Sequence, residues 1–172
     1  VNVGGAETEP TLRKALAIGA DEAIRVNTEA TDGFSVAKEL AEVAKDYDLI
    51  IGGRESIDYN GGMVPGMIAE LIGANFVNTC ISLEIDGDTA TAVRKIDGGK
   101  ETLKTSLPLV IGGQKGLVEE SDLRIPNMRG IMGATAETNA VQFRKPAPKG
   151  NVKLVDTVDE LVDLLHNEAK VI

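Results

Sequence analysis

The chain has 172 residues, 42% of them apolar and 26% charged, a balance that suits one globular domain around one core and excludes intrinsic disorder. Eighteen Lys and Arg against 27 Asp and Glu give a net charge of -9, which disfavours nucleic acid or anionic lipid as a partner. No apolar run approaches the ~20 residues that span a bilayer, so a soluble protein with no direct membrane insertion is expected.

In chain order, Val1-Asn2-Val3-Gly4-Gly5 reads as the end of a strand running into a glycine turn, so the chain is expected to begin inside a domain. Thr8 is the predicted cap of a helix with Leu12, Ala15, Leu16 and Ala17 at helical spacing, Pro10 in its first turn and Gly19 at its end. Residues 22–26 read as a short buried strand. Asp32 caps a second helix with Val36, Ala37, Leu40, Val43 and Ala44 on one face. Residues 48–52 follow, with Leu49, Ile50 and Ile51 as a fully buried strand core. A polar, glycine-rich loop over 53–62 leads into a third helix over 65–72, closed by Gly73.

Strands alternating with amphipathic helices imply strand–helix–strand units and a parallel sheet with right-handed crossovers. From Phe76 the period becomes two: Ile81, Leu83 and Ile85 alternate with polar residues, and Asp86-Gly87 and Asp97-Gly98-Gly99 supply turns. An antiparallel meander added to the parallel sheet is therefore predicted. The single cysteine, Cys80, excludes an internal disulfide, a CxxC pair and a cysteine zinc site, and is expected to pack as a small apolar residue. Residues 107–111 read as the last buried strand, ended by Gly112-Gly113.

Beyond it, residues 115–151 hold Pro126, Pro146 and Pro148 and no sustained periodicity, which reads as an extended arm. Thr157-Val158-Asp159-Glu160 has capping-box spacing and opens a helix with Val158, Leu161, Val162 and Leu165 on its apolar side. That face packs either on a partner chain or on the chain's own sheet. The lone histidine, His166, belongs to this helix and is expected on its surface, a poor foundation for a Ser/His/Asp triad. Aromatics at 3%, without Trp, supply neither a base-stacking platform nor a carbohydrate cleft.

The strongest local signal is the loop over 53–62, because open α/β sheets bind ligands at the carboxyl ends of strands near such turns. Glycines let backbone amides approach phosphate oxygens, and the following helix aims its positive end at the same anion. Gly4-Gly5 is expected on the same sheet edge, closing the adenine or ribose side. The structural alternative is that these glycines serve only the turn geometry. Asp58 either bonds ribose hydroxyls or caps the turn, and Tyr59 either covers a base or shields the loop. Neither GxGxxG nor GxxxxGK[ST] is present, which removes the usual motif for hydride or phosphoryl transfer.

Several stretches together resemble the β subunit of electron transfer flavoproteins. Val1-Asn2-Val3-Gly4-Gly5-Ala6 followed by Thr11-Leu12-Arg13-Lys14-Ala15-Leu16-Ala17-Ile18-Gly19-Ala20-Asp21 is similar to the family segment VSxGP…LRxALAxGAD, and Gly53-Arg54-Glu55-Ser56-Ile57-Asp58 to its nucleotide loop GRQAID. Ala92-Val93-Arg94-Lys95-Ile96-Asp97-Gly98-Gly99-Lys100-Glu101-Thr102-Leu103 with Pro108-Leu109-Val110-Ile111 follows the family signature, and Arg124-Ile125-Pro126-Asn127-Met128-Arg129-Gly130-Ile131-Met132 is similar to RYPSLKGIM.

The resemblance implies a Rossmann-like sheet of the adenine-nucleotide hydrolase type, with residues 1–114 as the nucleotide-binding part and 115–172 as recognition loop, arm and terminal helix of the same domain. It implies a structural AMP in this chain, held by Val3, Gly4, Ser56, Asp58, Tyr59, Asn60, Gly61, Gly62, Met63 and Val64. FAD would sit mainly on an α subunit, shared at the heterodimer interface. Arg124, Ile125, Pro126, Asn127, Met128, Arg129, Gly130, Ile131 and Met132 would be the loop that anchors acyl-CoA or other flavin dehydrogenases, with Met128 at the apolar anchor and a quinone reductase as the onward acceptor. Implied, too, are an electron carrier with no catalytic residues or metal of its own and a cytoplasmic setting, or the mitochondrial matrix in a eukaryote.

The chain departs from the family pattern in several places. Asn60, Gly61, Gly62 and Met63 replace the usual Asp, Thr, Gly and Gln, which shifts phosphate contacts toward the backbone. Gly112 replaces the small residue ending the signature, Gly133-Ala134-Thr135-Ala136-Glu137 replaces a basic run, and the family's first strands and helix have no counterpart. Two rivals follow: an electron-bifurcating form with a second FAD in place of AMP, and a stand-alone adenine-nucleotide module of the universal-stress type.

Overall fold

The computed structural model describes residues 1–56, 60–126, 128–133, 138–141 and 155–168. Its first half alternates strands and helices as the periodicity predicts: β1 (Asn2–Val3), α1 (Glu9–Ala17), β2 (Ala23–Val26), α2 (Gly33–Ala44), β3 (Leu49–Gly53) and α3 (Val64–Ile72). The meander follows as β4 (Asn75–Asp86), β5 (Thr89–Ile96) and β6 (Gly99–Ser106), and β7 (Leu109–Gly113) returns beside β4. The C-terminal part contributes α4 (Met128–Gly133), β8 (Thr138–Val141) and α5 (Val158–Asn167).

Local chemistry explains the boundaries. At the start of α2 the Ser35 amide donates to Asp32 Oδ1 at 2.7 Å while the Asp32 amide donates to Ser35 Oγ at 3.2 Å, a reciprocal capping box. Gly73 ends α3 at φ 69, a left-handed cap that a residue with a Cβ adopts only under strain. Replacing Asp32 with Ala is expected to lower the unfolding free energy by about 1 kcal/mol, and Asp32→Asn by much less, since Asn caps nearly as well. Urea midpoints of the two variants check this.

The strands form two sheets among the described residues, β1-β2-β8 and β3-β7-β4-β5-β6, instead of the single sheet expected. In the larger one β7 is parallel to both β3 and β4, and its residues alternate between two buried clusters. Leu109 and Ile111 join Val77, Cys80, Ala90 and Ala92 on one face, whereas Val110 joins Ala37, Ala41, Ile68 and Ala69 beneath α2 and α3 on the other. Helix α2 packs along α3 and also reaches β1, so the helical layer bridges the two sheets.

Four expectations are corrected. The expected fully buried core of β3 is only half-buried at Leu49 and Ile50, and Ile51 is 60% exposed, because β3 is the terminal strand of its sheet. Thr8 makes no side-chain cap; its hydroxyl donates to the Gly5 carbonyl at 2.8 Å within a short 3₁₀ turn, Ala6–Thr8. Gly112 and Gly113 are the last two residues of β7 rather than a turn beyond it. The arm carries a strand, β8, paired in parallel with β2, which Thr138-Asn139-Ala140-Val141 hides by lacking alternation. Apart from these corrections, Thr157 caps α5 as predicted by accepting from the Glu160 amide, and Val158, Leu161 and Val162 on its apolar side are exposed, which leaves the partner-chain alternative standing.

Strand β4 carries a bulge between Val77 and Cys80. Thr79 sits there at φ 53; its amide donates to Asn78 Oδ1 at 2.9 Å and its hydroxyl to the Lys95 carbonyl at 2.7 Å. A Cβ on the facing Gly112 would collide with that same Asn78 oxygen, which explains the glycine where the resemblance expects another small residue. Cys80 is fully buried beside the bulge, and burial pushes its thiol pKa up. The folded state therefore keeps its proton longer than the unfolded chain. Stability from this group is fully present below the ordinary thiol value of about 8.5 and is lost as pH rises from there through the higher folded value. Urea midpoints are thus expected to fall as pH rises above about 8.5 in the native chain and less in Cys80→Ala, measured against each protein's own midpoint at neutral pH.

Candidate functional site

The loop after β3 is held at its two ends. The Arg54 amide donates to the Gly113 carbonyl at 3.1 Å, extending the β3–β7 ladder, and the Ser56 amide donates to the Gly61 carbonyl at 2.9 Å, closing the loop across an isolated bridge. Asn60 turns the chain at φ 49, a left-handed position that Asn tolerates better than most residues. Asp58 and Tyr59 lie outside the described residues. Met63, exposed, begins α3 without a side-chain cap, and Pro65 occupies the first turn. No side chain caps the Val64 and Gly66 amides of this first turn, Pro65 having none, so these two are the donors it can offer an anion.

Glycine spacing there fits the approach of a phosphate. A Cβ at Gly53 or Gly61 would meet nothing within 4 Å, whereas one at Gly62 would lie 3.4 Å from the Arg54 carbonyl. Open space over Gly61 together with uncapped amides at α3 is the arrangement that a nucleotide phosphate uses through backbone contacts. Arg54 adds a guanidinium at the same strand end, paired with Glu55 at 3.1 Å. Sequence reasoning left Arg54 out of the site, although a basic residue at a strand end next to a glycine loop is the signal for it.

The Gly4-Gly5 turn behaves differently. Val3 ends β1, and the Gly4 amide donates to the Val26 carbonyl at 3.0 Å. The Gly5 amide donates to Glu7 Oε1 at 3.0 Å, so a carboxylate already occupies the place a phosphate would take. Gly4 has its own packing reason: a Cβ there would come within 2.6 Å of Thr8 Cγ2. This turn belongs to the smaller sheet, not to the sheet edge of the loop. The groove between the sheets brings Ser56, Gly61 and Val64 together with Val1 and Asn2, and leaves Val3 and Gly4 outside its lining. Glu7 went unnoticed in the sequence, where an acid two residues after a glycine turn is the available signal.

The predicted docking segment lies over α1. The Arg124 guanidinium donates to the Ile18 carbonyl at 3.4 Å, next to Gly19 at φ 106, and α4 packs against α1. Ile125, Met128 and Met132 are 84%, 73% and 81% exposed, a cluster of large apolar side chains turned outward. Pro126 and Gly130 are half-buried within the same stretch. Asn127 lies outside the described residues, and of Arg129 and Ile131 only the helical backbone is described.

The fold is that of an open, Rossmann-like α/β protein with a glycine-rich turn between a parallel strand and the following helix. The Electron transfer flavoprotein domain matches residues 1–152. The chain is 36% identical to the electron transfer flavoprotein subunit beta of Bacillus subtilis, over the whole chain and 78% of that protein. It is 33% identical to the subunit beta of Syntrophomonas wolfei, over 99% of the chain and 75% of that protein, and 32% identical to the mitochondrial subunit beta of Arabidopsis thaliana, over the whole chain and 76% of that protein. The chain belongs to the electron transfer flavoprotein β-subunit family. Among the described residues no helix is long and apolar enough to cross a membrane.

Proposed function

We propose that the chain is the small subunit of an electron transfer flavoprotein, carrying electrons from flavin dehydrogenases to a quinone reductase together with an FAD-bearing α subunit. The observation that carries this reading is family membership across residues 1–152, joined to a loop whose glycines and uncapped helix amides fit a phosphate. The nucleotide assigned to this chain is AMP, held through backbone groups of Ser56, Asn60, Gly61, Gly62, Met63 and Val64, with Asp58 and Tyr59 completing the loop. Val3 and Gly4 take at most an outer place, because Glu7 holds the adjacent amide. A nucleotide bound only by the folded state stabilises it by mass action and needs no bond-making chemistry.

FAD, when bound, supplies the redox chemistry, and this chain's residues position and dock. Ile125, Met128 and Met132 offer the dehydrogenases an apolar anchor on the outside of α4. The open apolar side of α5 is assigned to the α subunit, the alternative of packing on the chain's own sheet being unsupported by its exposure. The setting is cytoplasmic in a bacterium or the mitochondrial matrix in a eukaryote.

Met128→Ala tests the docking assignment in the reconstituted heterodimer. Truncating one exposed anchor is expected to raise the apparent KM for the heterodimer in dehydrogenase-coupled dye reduction by about tenfold, equivalent to about 1.4 kcal/mol of binding. Nucleotide content is expected to stay unchanged. Equal transfer by variant and parent at subsaturating heterodimer removes α4 from the docking surface.

A further inference from the structure

Asn60 and Gly61 form the chain's one Asn-Gly pair, and the fold places it in the loop after β3. Asn60 is exposed and turns the backbone at φ 49, and residues 60–63 lie between β3 and α3, outside both. The other asparagines in described strands stand differently. The Asn75 side chain donates to the Ser106 carbonyl at 2.9 Å, Asn78 Oδ1 accepts from the Thr79 amide at 2.9 Å, and the Asn2 oxygen is buried. Each of these three is followed by a residue with a side chain, Phe76, Thr79 or Val3.

An Asn-Gly pair carries its own chemistry. The backbone nitrogen of the glycine attacks Cγ of the asparagine, a C–N bond forms, and ammonia leaves, closing a five-membered cyclic imide. Water then opens the ring at either carbonyl. One opening yields aspartate; the other yields isoaspartate, in which the main chain runs through the former side-chain carbon. The sum is one water consumed and one ammonia released, with no oxidant, reductant or catalyst. Access to the nitrogen sets the rate, because a Cβ on the following residue shields it and glycine has none.

Neither packing nor backbone angle demands the glycine at this position. A Cβ at Gly61 would meet nothing within 4 Å, and its φ lies outside the left-handed range. The glycine therefore leaves the nitrogen beside an exposed amide side chain unshielded. The outcome matters to the loop, since the Ser56 amide donates to the Gly61 carbonyl at 2.9 Å and closes it. Isoaspartate adds one backbone carbon directly before Gly61 and displaces that carbonyl, whereas aspartate adds only a charge.

We propose that Asn60 is a modification site, which converts spontaneously to isoaspartate and aspartate by ring closure on the Gly61 nitrogen, the isoaspartate form releasing the bridge that closes the loop. The inference stands on the chemistry of the loop and does not depend on the nucleotide.

The purified chain is incubated at physiological temperature and mildly alkaline pH, digested, and mapped by mass spectrometry. The peptide carrying residue 60 is expected to change from amide to acid about tenfold or more faster than any peptide carrying another asparagine, and to be labelled by an isoaspartate methyltransferase. The Asp-Gly pairs at 32–33, 86–87 and 97–98 reach the same ring by losing water, so any label there comes without the change from amide to acid. Gly61→Ala, which the open space accommodates, is expected to slow the conversion about tenfold or more with an unchanged circular dichroism spectrum. In the isoaspartate form, isolated by chromatography, the Ser56 amide is expected to exchange its hydrogen about tenfold or more faster. Asn60→Asp, which carries the charge without the added carbon, leaves that exchange unchanged. An intact residue 60, another asparagine converting first, an equal rate in Gly61→Ala, or unchanged Ser56 exchange in the isoaspartate form overturns the inference.

Discussion

Replacing Ile111 with Ala is expected to lower the unfolding free energy by about 3 kcal/mol, while Ile51→Ala, its ladder partner, costs less than about 1 kcal/mol. The two side chains stand opposite each other in the β3–β7 register and differ in surroundings. Ile111 is fully buried against Val77, Cys80, Ala90 and Ala92, so truncation removes both its transfer free energy and the packing of a cavity that the sheet cannot collapse. Ile51 faces the groove and is 60% exposed, so little contact is lost. For a domain whose total stability is about 5–15 kcal/mol, the first change consumes a large fraction. Urea unfolding followed by far-ultraviolet circular dichroism reads the difference directly. Equal losses at the two positions contradict the edge placement of β3.

The second large effect concerns the loop. Gly62→Val is expected to reduce the nucleotide retained by the purified heterodimer at least tenfold, equivalent to about 1.4 kcal/mol of binding or more. A Cβ at this position lies at ordinary contact distance, 3.4 Å, from the Arg54 carbonyl, so Gly62→Ala is expected to be tolerated. The two further methyls of valine crowd the approach to the first-turn amides of α3, where the phosphate is assigned. Release by heat and quantification at 260 nm compares the three proteins. Full occupancy in the valine variant returns the glycine to a purely geometric role and moves the phosphate elsewhere.

Much of this architecture is legible in the chain because local chemistry and packing agree. Asp32 with Ser35, Thr157 with Glu160 and Gly73 each mark a boundary by a side-chain or backbone requirement that acts within one turn. The meander is equally local, its period of two turned at Gly87 and Gly98, both at positive φ, and broken otherwise by the β4 bulge around Thr79. What remained hidden depends on partners far along the chain. Strand β8 is recruited by β2 more than a hundred residues away, and Thr138-Asn139-Ala140-Val141 carries no pattern of its own. Ile51 is apolar as a central strand residue is, and nothing local tells it that β1 and β3 fall into separate sheets.

The site was readable to a similar depth. The glycine loop and the start of α3 stand where the strand–loop–helix pattern put them, since both follow from glycine and helix-end chemistry. Gly4-Gly5 looked equivalent because its motif is equivalent; the difference is Glu7, whose carboxylate folds back onto the Gly5 amide. Exposure of Ile125, Met128 and Met132 had no local signal, since the stretch has no sustained periodicity; only the resemblance pointed to an outward-facing anchor there.

The central claim, that this chain serves as the nucleotide-bearing small subunit of an electron carrier, is tested most directly by nucleotide identity in the assembled complex. The chain is expressed with an α-type subunit of the family, the complex is purified and denatured, and released nucleotides are separated by chromatography and weighed by mass spectrometry. AMP together with a single FAD per heterodimer is the predicted result. Two FAD without AMP contradict the AMP assignment and indicate a bifurcating carrier, and a lone chain that holds ATP or AMP and forms no flavin complex contradicts the electron-carrier account itself.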